Sequence, residues 1–461
     1  MSEIEIGSII AIMVIAVIFV ALLKVIGSIT SAKNDIYNFK RDYDNAIYKP
    51  SYKGIKQENE NTLIGISNKK NVFIHNNAKH VFICGTTGSG KTIALSNFLI
   101  SGFSNNYPML IVDGKGDVGS DSLLEITKEL CKDRKIYVIN LNDPFSSDKY
   151  NPFKNTNTDV IKDMLINMTN WSEEHYKYNT ERYIQRLCKL LELKKIEISL
   201  NSLTYYLPTI NFIKLSRDLV NEKLITKEEN IQDIELSKTS GTIAENAAAR
   251  FATIKESDLG QIFDSNGIDI YTALEENAII IFILNPLLYP EMSPLIGNLI
   301  IIDSKKAVSN FYNNKKNRIF YILDEINVYA NQSLLDLVNK SRSANITCIL
   351  ATQSLSDLDN VSAEFKEQII ENCNNYIVLR QNSSVNAEHW SNVIGTRETM
   401  QATYQIKGEN GQATSTDLGS LRKTREYLYH PDDIKLLGTG AGIFLSRDEM
   451  FHTKLKINKP F

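Results

Sequence analysis

The chain of 461 residues is poor in the residues that hold together folds without a large core. Its 22 glycines and 10 prolines are too few for a collagen-like or low-complexity polymer. The five cysteines, Cys84, Cys131, Cys188, Cys348 and Cys373, are scattered through apolar or helix-like stretches without one Cys-x-x-Cys pair. They read as reduced residues of a cytosolic core rather than a disulfide framework. Six dispersed histidines show no His-Glu-x-x-His spacing, so no zinc site is expected. Positive charge is not in excess either: 51 Lys and Arg stand against 54 Asp and Glu, for a net charge of −3. Any anionic partner must therefore be held locally. What remains is a folded chain, 43% hydrophobic, of a length that suggests about three structural units.

Only one stretch is both long and uncharged. Ile6 to Leu23 carries no charge, and the apolar character resumes after Lys24 as far as Ile29. A helix rising about 1.5 Å per residue over that length crosses a hydrocarbon core of about 30 Å. Glu3 and Glu5 precede it, whereas Lys24, Lys33, Lys40 and Arg41 follow, which places the bulk of the chain in the cytoplasm. A cleaved signal peptide would show a basic segment first and a shorter apolar core. The expectation is a single-pass anchor over residues 1–32, in the inner or cytoplasmic membrane, and a polar juxtamembrane linker over 33–70.

Short runs rich in Ile, Val, Leu and Phe follow: His80–Cys84, Met109–Val112, Ile136–Leu141, Ala278–Leu284, Ile319–Leu323, Ile346–Ala351, Tyr376–Leu379 and Gly442–Leu445. Their length and unbroken apolarity fit strands buried on both faces of a parallel sheet. Helix-like stretches such as Thr92–Phe103 and Ser333–Arg342 lie between them, so an α/β doubly wound domain is expected. The alternation stops between residues 155 and 255, where Val160–Met168, Glu181–Leu193 and Ile210–Val220 have helical spacing. The expected organisation is a nucleotide-binding domain in two parts, 71–154 and 256–461, interrupted by an all-helical insertion, 155–255. Lys407–Ser420 reads as a flexible loop or a hairpin tip.

The nucleotide reading rests on Gly85-Thr86-Thr87-Gly88-Ser89-Gly90-Lys91-Thr92, directly after the strand His80–Cys84 and before a helix. Glycines let the backbone N–H groups turn inward around phosphates, and the helix N-terminus favours the anion. Lys91 reaches the β- and γ-phosphates, and the Thr92 hydroxyl ligates Mg2+. The apolar run Phe320–Leu323 ends in Asp324-Glu325; Asp324 is expected to hold Mg2+ through water, and Glu325 to activate the attacking water. The next strand ends in Thr352-Gln353, and a right-handed crossover sets it parallel to the strand carrying Asp324. Gln353 is then placed to meet the γ-phosphate or the lytic water. Charge on the transferred phosphoryl group calls for an arginine; Arg342, acting on a neighbouring subunit, is the first candidate and Arg380 the second. Asn339-Lys340-Ser341-Arg342 lacks the aspartate of a guanine-reading Asn-Lys-x-Asp, so ATP is the expected nucleotide. Lys132, Arg134 and Lys135, or Arg422, Lys423 and Arg425, are candidate DNA contacts on pore loops.

This pattern resembles the TraG/TraD-type coupling ATPases of type IV secretion and conjugation, within the HerA/FtsK class of RecA-like motors. His80 with the phosphate loop, Val112-Asp113-Gly114-Lys115-Gly116-Asp117, Tyr150-Asn151-Pro152, Leu323-Asp324-Glu325, Ser341-Arg342, Ala351-Thr352-Gln353-Ser354, Asn372-Cys373-Asn374-Asn375 and Leu436–Gly440 carry the resemblance. It implies a ring, expected to be a homohexamer, with ATP sites between protomers. Single-stranded, relaxase-linked DNA would pass through the ring to a type IV secretion channel, and the helical insertion would receive substrate. Two features differ from the family pattern: one apolar span where two are common, and Gly114 and Asp117 in place of a proline and a glutamate. Two alternatives stay open. A HerA/FtsK-like double-strand translocase would normally add a winged-helix tail, for which the residues after Leu445 leave little room. A receptor that binds ATP without turnover is disfavoured by Lys91, Asp324 and Glu325 together.

Overall fold

A computed structural model describes residues 15–24, 60–77, 79–130, 133–167, 174–313, 318–409 and 412–460. The chain divides into two compact units. One comprises Lys53–Ala387 and Asp432–Phe461, the other Met1–Tyr52 and Glu388–Pro431.

The larger unit is organised by a sheet of eleven strands: β1 (Asn61–Ser67), β2 (Lys70–His75), β3 (His80–Cys84), β4 (Met109–Asp113), β5 (Ile136–Asn140), β6 (Ile279–Ile283), β7 (Ile319–Asp324), β8 (Ile346–Thr352), β9 (Cys373–Val378) and, after the other unit's β10 and β11, β12 (Ala441–Ser446) and β13 (Phe451–Ile457). Their order is β2-β1-β13-β12-β9-β3-β8-β7-β4-β6-β5. The seven strands from β9 to β5 are mutually parallel, whereas β12, β13, β1 and β2 extend the sheet antiparallel. Every residue of β3, β4, β6, β7 and β8 is buried. Continuous Ile, Val, Leu and Phe is the composition a strand needs when helices cover both of its faces. Each of the eight apolar runs forms a strand.

Register fixes the site. Cys84 pairs with Thr352 across β3 and β8, Leu323 with Leu350 across β7 and β8, and Asp113 with Asp324 across β4 and β7. The carboxyl ends of four neighbouring strands therefore finish on one line.

Helices Thr158–Asn167, Glu174–Leu193, Leu200–Tyr206, Thr209–Asn221 and Lys227–Glu256 fill the interval between β5 and β6. Reciprocal capping by Ser199 with Ser202, and by Thr226 with Glu229, starts two of them, which satisfies N–H groups that a helix leaves unpaired. The interval is closed at its base where Tyr150 bridges to Phe263 and Ile268. There the Lys306 ammonium meets Asp303 at 2.7 Å and Asp269 at 3.3 Å, and the Tyr150 hydroxyl donates to Asp303 at 2.9 Å. Burying these charges is tolerable because they are paired and hydrogen-bonded together.

The sequence reading needs two corrections, at β1 and at β13. β1 lies inside the stretch read as linker; residues 33–59 of that stretch are outside the described residues. Asn61-Thr62-Leu63-Ile64-Gly65-Ile66-Ser67 is a weak strand by composition, and it forms because β2 and β13 supply partners on both sides. β13 went unread although Phe451, Leu455 and Ile457 are buried in period two with Lys454 and Lys456 exposed between them. In the smaller unit, Lys407–Ser420, read as a flexible loop or a hairpin tip, lies in the hairpin of β10 (Thr396–Glu409) and β11 (Gln412–Tyr427). Of the expected membrane anchor, residues 15–24 form a helix and the rest lies outside the described residues. Among the described residues no helix is long and apolar enough to cross a membrane.

Candidate nucleotide site

The strand ends surround a cleft of ≈ 550 Å3 whose lining includes Thr87, Lys91, Thr92, Asp324, Glu325 and Gln353. All eight residues of the loop Gly85–Thr92 lie between β3 and the first turn of the helix Lys91–Ser104. Gly90 has φ 111°, a left-handed conformation that a side chain would strain. The Thr86 and Ser89 hydroxyl oxygens are buried without a protein partner, as suits a loop whose polar groups await an anion. Lys91 donates to the Gly85 carbonyl at 2.8 Å and lies 3.7 Å from the Glu325 carboxylate.

Asp324 and Glu325 are both buried. Burial, reinforced by Glu325 and Asp113, pushes the Asp324 carboxyl up to about 8, against the opposing pull of Lys91. Asp113 is likewise raised to about 6, chiefly by burial, although the Lys115 and Gly116 N–H groups donate to it. Three acids converge on one strand line, an arrangement that a cation would relieve. Gly114 is needed beside them: a Cβ there would come within 2.9 Å of the Asp324 and Glu325 carbonyl oxygens. Glu325 itself adopts φ 47°, a rare conformation for a side-chain-bearing residue, which turns the chain directly after β7.

Gln353 bridges the two halves. Its amide donates to the Glu325 carboxylate at 2.8 Å, and its carbonyl accepts from the Thr87 hydroxyl at 2.9 Å. Thr87, Gln353, Glu325 and Lys91 thus form one connected polar chain between the phosphate loop and the β7 end.

Arg342 is not brought to this cleft. It is exposed in the short turn Arg342–Ala344 that precedes β8, and the seven residues of β8 at about 3.3 Å each separate it from Gln353. The second candidate, Arg380, is adjacent: its carbonyl accepts the Thr86 N–H at 3.0 Å. His80 also belongs to the amino end of the sheet. Its Nδ1 accepts from the Cys348 N–H at 3.0 Å and its Nε2 pairs with the Val338 carbonyl at 2.8 Å; burial lowers it from 6.5 to about 4. Of the basic residues considered for DNA, Arg134 donates to the Tyr107 and Asn277 carbonyls and Lys135 pairs with Glu276; Lys132 is outside the described residues. Arg422, Lys423 and Arg425 sit on β11, and Arg425 donates to Thr396.

The donor set fits a magnesium nucleotide. Among the described residues no group of three or more His, Cys, Asp or Glu is arranged to hold a metal unaided. That suits Mg2+, which keeps several waters and takes one or two protein ligands beside phosphate oxygens. Thr92 and Asp324 are the residues placed to hold it.

The segment Leu436–Gly440, singled out in the sequence only as part of the resemblance, reaches the site through Thr439 and Gly440. The Gly440 N–H donates to the Ser89 carbonyl at 2.9 Å, the Thr439 hydroxyl donates to the Gly88 carbonyl, and Lys459 and Pro460 also line the cleft.

Residues 318–438 match the family described as the TraM recognition site of TraD and TraG. Over these residues the chain is similar to the TraG/TraD-type proteins. Its fold agrees with that of the bacterial conjugative coupling protein TrwBdeltaN70, at a TM-score of 0.64 over 88% of this chain and 90% of that one, with 15% identity. TrwB in complex with ADP and Mg2+ superposes at a TM-score of 0.58, with 16% identity over 84% of this chain and 87% of that one. VirB4 of Thermoanaerobacter pseudethanolicus matches at 0.55, with 10% identity over 87% of this chain and 97% of that one. An uncharacterized protein of Mycoplasma pneumoniae is 30% identical over 127 residues, 27% of this chain and 83% of its own length. The mixed α/β architecture of the chain is thus the fold of the coupling protein TrwB.

Proposed function

We propose that the chain is a membrane-anchored motor that hydrolyses ATP and delivers relaxase-bound single-stranded DNA to a type IV secretion channel. The observation that carries this reading is the connected chain Thr87, Gln353, Glu325 and Lys91, which ties the phosphate loop to the buried acids of β7. TrwB forms a complex with a non-hydrolysable ATP analogue and another with ADP and Mg2+, and here Mg·ATP is the nucleotide whose chemistry the residues fit.

Bound Mg2+ would neutralise charge on the phosphates. The loop N–H groups and Lys91 hold the triphosphate. A γ-phosphate draws Lys91 from Glu325, which frees the Glu325 carboxylate to accept a proton from water. Gln353, hydrogen-bonded to both Glu325 and the loop, loses its bridge when a phosphate occupies the space between them. Presence or absence of the γ-phosphate is thereby converted into movement at the β8 end, and so of the helices that follow it.

In a homohexamer, Arg342, exposed and remote from its own cleft, would be available to the phosphoryl group in a neighbouring subunit's site. Apolar side chains of the 15–24 helix, among them Ile15, Phe19 and Leu22, are exposed, which supports lipid as its surroundings. A relaxosome component of the TraM kind is the protein partner suggested by the family description of residues 318–438.

Purified chain in detergent tests the reading by ATP hydrolysis with and without single-stranded and double-stranded DNA. Stimulation by single strands, abolished in Lys91→Ala and Glu325→Gln, is expected. Hydrolysis indifferent to any DNA would overturn translocation, and stimulation by duplex alone would turn the reading to a double-strand translocase.

A further inference from the structure

We infer that the segment Gly438–Pro460 is a working part of the nucleotide site, and that Lys459 and Pro460 form the wall that receives the base of the nucleoside triphosphate. The inference rests on the phosphate-loop reading above and extends it to the other end of the ligand.

The segment is fastened to the site twice. At its start, Gly440 and Thr439 donate to the Ser89 and Gly88 carbonyls, so the outer side of the phosphate loop is tied down while its N–H groups stay turned to the cleft. Gly440 has φ 73°, and a Cβ on Gly90 would lie 3.4 Å from its backbone, so the two turns are in contact. The chain then leaves as β12 and returns as β13, and the Ile457 N–H donates to the Gly440 carbonyl at 2.7 Å. The return therefore ends beside its own start.

At that end the Asn458 and Asn97 side chains are joined. Asn458 Nδ2 donates to Asn97 Oδ1 at 2.8 Å, Asn97 Nδ2 donates to the Asn458 carbonyl at 3.0 Å, and the Asn458 N–H donates to the Ile64 carbonyl. Asn97 is on the helix that begins at Lys91; Ile93, one turn before it on the same face, and the adjoining Ser96 line the cleft. Lys459 and Pro460 are thus held over the outer face of the phosphate-loop helix, about one turn beyond the residues that take the phosphates.

The lining of the cleft is mixed. Lys91, Asp324, Glu325 and Gln353 serve the phosphates, and Ile93, Ile126 and Pro460 are apolar residues of the same wall, beside polar groups that include Asp121 and Glu129. The triphosphate does not use the apolar residues. A planar heteroaromatic base needs such surface, where apolar walls accept its faces. Lys459 is exposed and has no ion-pair partner among the described residues, so its stem is available to cover the base and its ammonium to meet the ligand's polar edge.

Calorimetric titration of the full chain with Mg·ATP and with Mg·tripolyphosphate, which shares the phosphates but has no base, separates the two ends. In the double variant Lys459→Ala/Pro460→Gly the Kd for Mg·ATP is expected to rise about tenfold, while that for tripolyphosphate stays within about twofold. Asn458→Ala, which releases the segment from Asn97, is expected to act in the same direction and by less. An unchanged Kd for Mg·ATP overturns the inference. Equal weakening of both ligands overturns it as well, since the segment would then act only as a brace for the loop. Wild-type chain that binds tripolyphosphate but shows no preference for ATP sinks the base wall and leaves the phosphate loop standing; wild-type chain that binds neither sinks both.

Discussion

The two ends of the parallel strands are built on opposite principles. At the amino end, His80 is buried, neutral and hydrogen-bonded through both ring nitrogens, so every polar group it brings inside is answered. At the carboxyl end, Asp113, Asp324 and Glu325 crowd together. Burial holds two of them above their usual range, and Thr86 and Ser89 keep buried hydroxyls without protein partners. His80 is satisfied by the protein itself, although Thr347 near it keeps a buried hydroxyl without a partner, whereas the carboxyl-end acids and loop hydroxyls suit a ligand. Functional sites in open α/β sheets gather at the carboxyl ends of strands because helix N-termini and turning loops meet there. The contrast between His80 and Asp324 shows the same asymmetry in the energetics of single side chains.

Substitutions at the two ends should therefore separate activity from stability. Lys91→Ala is expected to have the largest effect, lowering ATP hydrolysis by about 10^3-fold or more and weakening nucleotide binding, both read in one steady-state and titration series. Glu325→Gln should reduce turnover by about 10^2–10^3-fold while Mg·ATP still binds; retained turnover would remove Glu325 from the role of base. Gln353→Ala breaks the bridge to Thr87 and Glu325 and should lower turnover about tenfold, with a melting temperature close to wild type.

At the amino end the order reverses. His80→Phe leaves the Cys348 N–H unanswered and is expected to cost about 2 kcal/mol in denaturant unfolding, with the Kd for Mg·ATP unchanged. The sign of its pH dependence follows from a folded value near 4 against 6.5. Stability from the neutral imidazole is complete above pH 6.5 and is lost as pH falls towards 4, by about 3 kcal/mol in all. Unfolding midpoints from pH 7 to 4 in wild type and His80→Phe measure that difference. If His80→Phe lowered turnover as much as Gln353→Ala, the division between the two ends would fail.

How much was legible in the sequence follows the same division. Runs such as Ile279–Ile283 and Ile346–Ala351 announce buried strands because a strand covered on both faces has no polar side to confuse the pattern. The phosphate loop and Asp324-Glu325 are contiguous, so their chemistry is written locally. β1 is different: Asn61, Gly65 and an exposed Ile66 make it a poor strand alone, and its partner β13 lies nearly four hundred residues later. β13 shows the other kind of miss, a visible alternation passed over in favour of longer apolar runs. Arg342 is a different case: β8 sets it at the opposite end of its own strand, and a role on a neighbouring subunit is a matter of assembly, which a single chain does not express.

Sequence alone determined the parallel core, the phosphate loop, the two acids and the helical stretch before β6, because each depends on neighbours along the chain. Tertiary structure decided the register that sets Asp113 beside Asp324, the bridge from Gln353 to Thr87 and Glu325, and the return of Asn458 to Asn97. Those contacts join residues up to 361 positions apart. Local propensity and periodicity carry no information about pairings at that distance; only the packing of the whole sheet selects them.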